Sequence, residues 1–274
     1  MRRLVIVLSA IALLGAACGE EETPQAGDQG CDPPAVKTDD TLTVGAEFPY
    51  YEPFLIGDQA NPSGFEGEMI NGIAEKMGLG TVSWVNIAFD QLYAPGPKEF
   101  DVGVSEITIT PERAAEVDFS EPYFEANQGL LVVADGEFAN ATSVADILDA
   151  KFGAEAGTTG LAYLEDTIHP TQPVDQFDTT DITTQALKAG SIDIQVIDTP
   201  IAIGIRDQSE DVELKVIGEF ITNEEYGLAM EKGSPVKACV DDAITAMKDE
   251  GTLDELQDKY FPGSVDLPVF EPST

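Results

Sequence analysis

The sequence predicts an α/β protein made of sheets covered by helices, and three observations carry that expectation. Short runs rich in Val, Ile, Phe and Thr alternate with stretches of helical period along the body of the chain. The chain has 274 residues, enough for one or two domains and a substantial core. Its residues are 43% apolar, with Gly and Pro scattered rather than massed, a composition of globular and not disordered chains.

The elements follow in order. Residues 41–45 (TLTVG) form the first expected strand. A helix is expected over 65–77, where Met69, Ile73 and Met77 recur at i, i+4 and i+8 and Gly78 supplies the stop. Strands are expected at 82–87 and 100–105, a helix from Pro111, and a strand at 128–133. Then come a helix at 143–148, a strand at 151–156, a helical segment at 159–164 and a helix at 180–188. The run IDIQVI (192–197) reads as a buried strand. A helix at 200–206, a strand at 225–230 and helices at 235–250 and 253–260 complete the body. Strands separated by helices imply largely parallel sheets.

Charge excludes several classes of function. Lys and Arg number 14 against 51 Asp and Glu, a formal net charge of −37. Nucleic-acid phosphates need clustered Lys and Arg, and anionic lipid needs the same. The chain has one histidine, His169, which argues against a His-based catalytic triad or a His-rich metal site. No metal and no cofactor are expected.

The N-terminus reads as an address. Met1-Arg2-Arg3 is a positive start, Leu4–Leu14 is an apolar run broken only by Ser9, and Gly15-Ala16-Ala17 precede Cys18. That is a secretory signal over residues 1–17, with an apolar run too short to span a bilayer. Small residues before a cysteine resemble a bacterial lipoprotein cleavage site, which implies lipid on Cys18 and an anchor on the outer face of the cell membrane. Residues 18–40, polar and carrying Pro and Gly, read as a flexible linker. Outside the cytoplasm Cys31 and Cys239 can pair in a disulfide tying this linker to a C-terminal helix, or remain two thiols.

Three clusters carry chemistry. In Thr108-Ile109-Thr110-Pro111-Glu112-Arg113, Thr110 suits a helix N-cap and Pro111 the first helical position. Arg113 then lies in the first turn, where a cation opposes the helix dipole at a cost of a few tenths up to about 1 kcal/mol. That broken rule suggests a use for positive charge, and a forked guanidinium suits a carboxylate. A surface pairing with Glu112 or Glu116 explains it equally well. Ala156-Gly157-Thr158-Thr159-Gly160, between a strand and a helix, offers backbone N–H groups and hydroxyls to an anion, or is a plain turn. Asp198 ends the strand IDIQVI, where ligands of α/β sheets gather; it can hold an ammonium group or cap the next helix. Together the clusters grip one negative and one positive group, which suits a zwitterion. Aromatics after the first two strands (Tyr50, Tyr51, Phe54 and Phe89) can cover it or belong to the core.

The run ITITPERAAEVDFSEPYF (residues 107–124) is similar to the signature of extracytoplasmic solute-binding proteins of family 3, the amino-acid receptors of ABC importers. The resemblance extends over about residues 41–263 through TLTVGAEFPYYEPF, FEGEMINGIAEKMG, the GTTG loop, IDIQVIDTPIA and MKDEGTLDELQDKYFPG. It implies the two-lobed periplasmic-binding-protein fold of type II, with two hinge crossings. Lobe 1 would hold residues 41–126 and 226–263 and lobe 2 residues 130–220, with a C-terminal tail at 264–274. By position, Arg113 resembles the clamp on the ligand α-carboxylate, with Thr108 and Thr159 as hydroxyl donors to the same group. Asp198 resembles the acid for the α-ammonium, and Phe89 and Tyr51 (or Tyr50) the aromatic sandwich. Glu47 matches a position often acidic where the ligand side chain is cationic. Glu106 departs from the family, which commonly has a small residue there; it faces the ligand or points to water. One arginine against Glu47, Glu106 and Asp198 tilts the expected ligand to a basic or strongly polar amino acid.

The implied protein is a monomeric receptor with no catalysis of its own, which closes on a free amino acid and delivers it to a membrane permease. Two other classes remain. One is an extracytoplasmic dehydratase of cyclohexadienyl type on the same fold, which would release aromatic product from prephenate or arogenate. The other is a sensor for a signalling receptor, which a permease and ATPase encoded next door would argue against.

Overall fold

The computed structural model describes Cys31, residues 34–263 and residues 266–272; the expected signal segment and Cys18 lie outside the described residues. The chain runs β1 (Thr41–Ala46), α1 (Gly64–Lys76), β2 (Thr81–Asn86), α2 (Phe89–Leu92), β3 (Val102–Gly103), α3 (Pro111–Glu116), β4 (Asp118–Phe119), β5 (Phe124–Val133), β6 (Phe152–Glu155), α4 (Thr159–Tyr163), β7 (Asp175–Phe177), α5 (Thr180–Lys188), β8 (Ile194–Asp198), α6 (Thr199–Gln208), β9 (Leu214–Tyr226), β10 (Ala229–Met230), α7 (Lys237–Asp249) and α8 (Thr252–Tyr260).

Two five-stranded sheets result, ordered β2-β1-β3-β10-β4 and β7-β6-β8-β5-β9. In the first, β1 is buried along nearly its whole length, as a central strand covered on both faces must be. Helix α1 covers it with Met69, Ile70, Ile73 and Ala74, all buried. Each such side chain contributes about 1.5–3 kcal/mol by leaving water. The helix can begin where it does because Gly64 takes φ +95° and a Cβ there would stand 2.4 Å from the Phe54 carbonyl oxygen.

The sheets are mixed, not largely parallel. β1 pairs in parallel with β2 and β3, and β6 with β7 and β8, but β10 runs against β3 and β4 and β5 runs against β8 and β9. Part of the reason is β9, thirteen residues long, where no strand was expected before residue 225. It lies antiparallel to the ten-residue β5, and both long strands begin or end beside the first sheet: Phe124 pairs with Tyr226, and Tyr226 bridges Thr108. Two expected elements shrink. Residues 143–148 keep only the 3-10 turn Val144–Asp146, and residues 100–105 only β3.

Neither flanking segment is loose where it is described. Cys31 is bonded to Cys239 of α7, with Cα atoms 5.3 Å apart. The Lys37 N–H donates to Asp101 Oδ1 at 2.8 Å, and Thr38 bridges Thr41, so the end of the expected flexible linker is docked on the first sheet. In the expected C-terminal tail, Val269 bridges Glu219 of β9. The Phe270 ring is fully buried in the second core beside Phe220, over Gly218, where a Cβ would meet it at 2.4 Å.

Candidate functional site

All eight residues expected at a ligand site line one cavity of ≈ 50 Å³: Glu47, Tyr51, Phe89, Glu106, Thr108, Arg113, Thr159 and Asp198. They come from the ends and connections of strands in both sheets. A larger hollow of ≈ 670 Å³, bordered by Phe124, Asn127, Arg206 and Phe261, contains none of them.

Arg113 owes its place to the local sequence. Thr110 caps α3, its hydroxyl accepting the Arg113 N–H at 3.2 Å, with Pro111 in the first turn. Arg113 is only 7% exposed, and its guanidinium pairs with neither Glu112 nor Glu116. It donates to the Thr108 carbonyl at 2.8 Å and to the Gly157 carbonyl at 2.9 Å, so one side chain joins the two sheets. Tyr93 stacks on it at 4.3 Å and Phe89 at 5.4 Å, and the Tyr93 hydroxyl also reaches Gly157 O. Gly157 is needed there: it takes φ +79°, and a Cβ would stand 2.6 Å from the Tyr93 hydroxyl.

Thr108 and Thr159 act together on a residue that sequence reasoning missed. Both hydroxyls donate to Glu224 Oε2 at 2.6 Å, and Gln128 Nε2 donates to Glu224 Oε1 at 2.8 Å. Gln128 also donates to Asp198 Oδ1, and the Tyr226 hydroxyl donates to Asp198 Oδ2. Asp198 therefore does not cap α6 with its side chain; it faces the cavity.

Carboxyl groups dominate. Besides Glu47, Glu106 and Asp198, the lining includes Glu155 at the end of β6, and Glu224 stands behind the two threonines. Burial pushes Asp198 up to about 7, helped by the charge of Glu224 and opposed by its hydrogen bonds with Tyr226 and Gln128. Burial also raises Glu155 to about 7, with Glu47 adding to the rise. Glu47 is raised by burial although the Phe89 N–H donates to it at 3.3 Å. A buried pocket with one guanidinium and this many acids favours an incoming cation. Glu155, Glu224 and Gln128 lie in stretches with no motif of their own, which is why their place in the site shows only in the fold. Among the described residues no group of three or more His, Cys, Asp or Glu is placed to hold a metal ion.

The architecture defines a class: a two-lobed receptor of type II, with the candidate ligand site where two α/β sheets meet. Residues 42–263 match the bacterial extracellular solute-binding proteins of family 3, and the chain belongs to that family. It is 31% identical over 232 residues to the L-cystine-binding protein TcyJ of Escherichia coli strain K12, across 84% of this chain and 86% of that one. Among solved structures, an ancestral arginine-binding protein bound to glutamine matches 82% of this chain and all of its own, with 31% identity and a TM-score of 0.74. The arginine-, lysine- and histidine-binding protein ArtJ of Geobacillus stearothermophilus matches 82% of this chain and 97% of its own, with 29% identity and a TM-score of 0.72. Among the described residues no helix is long and apolar enough to cross a membrane.

Proposed function

We propose that this solute-binding protein is the amino-acid receptor of an ABC importer and that its preferred ligand carries a cationic side chain. The observation that carries the reading is the charge of the cavity: one guanidinium, Arg113, faces Glu47, Glu106, Glu155 and Asp198. Arg113 would take the α-carboxylate in a forked pair, with the Thr108 and Thr159 hydroxyls turning to it. Asp198 would take the α-ammonium. Glu47 and Glu155 would hold the side-chain cation, with Tyr51 and Phe89 against its stem. The relatives named for arginine, lysine and histidine support that choice.

Closure is the working step. Arg113 and Tyr93 reach Gly157 only when the sheets are together, and a ligand touching both sides favours that arrangement over an open one. The closed receptor would then present itself to a permease, as a monomer held at the membrane by lipid on Cys18. The protein would bind without chemistry, so prephenate and arogenate should yield no aromatic product.

A thermal-shift series over the amino acids tests the reading, because a ligand bound only by the folded state raises stability by mass action. Arginine or lysine should give the largest rise. A larger rise with leucine or valine would overturn the choice of ligand.

A further inference from the structure

Behind the ammonium end of the cavity lies a second acidic pair that the binding scheme leaves unused. Glu66, in the first turn of α1, is fully buried, and Glu106 is 7% exposed. The Glu106 backbone N–H donates to Glu66 Oε1 at 3.0 Å, and the Tyr123 hydroxyl donates to the same oxygen. Glu106 is held in the left-handed region, φ +48°, where a Glu is uncommon. Glu66 Oε2 and Glu106 Oε1 are buried with no hydrogen-bond partner, and Glu106 lines the cavity.

Among the described residues no Lys or Arg side chain bonds to either carboxyl of this pair. Two carboxyls buried this deeply, one accepting the other's backbone N–H, cannot both stay ionised without a cation, so the pair keeps a proton. The groups that face it agree in sign. Asp198, Glu47 and Glu155 face Glu106 with further carboxyls, and Tyr123 and Tyr226 are neutral phenols beside it. Arg113 donates to Thr108 O and Gly157 O and to neither member of the pair. Glu106 is raised well above the ordinary carboxyl range by burial first and then by Glu66.

We propose that Glu106, backed by Glu66, is a second acceptor for the ligand ammonium beside Asp198, and that the pair gives up its proton when the ligand seats. This rests on the amino-acid-binding reading above. An ammonium brought against Glu106 supplies the missing positive charge, so the proton leaves to solvent as the cation arrives. The exchange balances in charge: one proton out, one ammonium in. Affinity then rises with pH while the pair still holds its proton.

Titration calorimetry of the full chain with L-arginine, in two buffers of different ionisation enthalpy at about pH 8.5, where Asp198 and Glu155 have largely given up their own protons, counts the protons the pair exchanges. Wild type should release close to one proton per ligand. Glu106→Gln should release less than half as much and bind roughly ten- to a hundredfold more weakly. Glu66→Gln should also lose most of the release, because Glu106 then ionises before the ligand arrives, and it keeps the test open should Glu106→Gln not fold. Arginine binding with no proton release, or with unchanged release in both variants, overturns the exchange and leaves the receptor reading standing. No binding of any amino acid would instead sink the receptor reading itself.

Discussion

Thr108 and Thr159 donate to one and the same oxygen, Glu224 Oε2, each at 2.6 Å. The two hydroxyls proposed for the ligand carboxylate thus already hold a carboxylate of the protein, contributed by β9 near its pairing with β5. Glu224 stands as an internal competitor for those donors. Glu224→Gln should therefore bind arginine more tightly, by roughly tenfold or about 1.4 kcal/mol, as read by calorimetry. A loss of affinity would show that Glu224 serves the ligand by holding the threonines in place.

Among the described residues, Arg113 is the one Lys or Arg lining the cavity. Arg113→Ala should weaken arginine binding by at least about a hundredfold, since the ligand carboxylate would be buried without its partner. Arg113→Lys should restore little, because an ammonium cannot form the fork or lie flat on Tyr93. Near-normal affinity in either variant would contradict the assignment.

The pH dependence has a definite sign. Asp198 and Glu155 are each pushed up to about 7, chiefly by burial. Between about pH 4 and 7 the folded protein holds protons that the unfolded chain has released, so stability falls as pH rises through that window. Carboxyls held low by partners, such as Glu68 beside Lys259, act only below it. The ligand-free protein should melt higher at pH 5 than at pH 8. An equal or higher melting temperature at pH 8 would contradict these assignments.

Much of the site was legible in the sequence because its markers are local. A capped Pro-Glu-Arg turn, a Gly-Thr-Thr-Gly turn and an Asp at a strand end each declare themselves within six residues, and the structure brings all three to one cavity. Less legible was anything set by pairing across the fold. β9 mixes buried Leu214, Val216, Ile217 and Phe220 with exposed Lys215, Ile221 and Glu225 in no clean period of two, and its bulged partner β5 supplies the reason. Without β9 the second sheet loses its edge strand and the long β5 pairing, and Glu224 with it. Glu155 looked like an ordinary strand residue until β6 placed it opposite Glu47.

The Cys31–Cys239 bond closes a span of 208 residues. Reducing it should cost about 2–5 kcal/mol by freeing the unfolded chain, seen as a lower melting temperature. Arginine affinity should stay within about twofold, because neither cysteine lines the cavity. An unchanged melting temperature would mean the bridge contributes no stability.

Phe270 fills the second core from outside the expected body of the chain. Phe270→Ala should destabilise by about 3–5 kcal/mol, the cost of emptying a packed aromatic site. A loss below about 1 kcal/mol, typical of surface positions, would contradict its burial.

The most direct test is a crystal structure grown with L-arginine. The account predicts the α-carboxylate on the Arg113 guanidinium and the ligand guanidinium between Glu47 and Glu155, with both sheets closed on it. Arginine bound in the reverse sense, or bound away from Arg113 altogether, would contradict it.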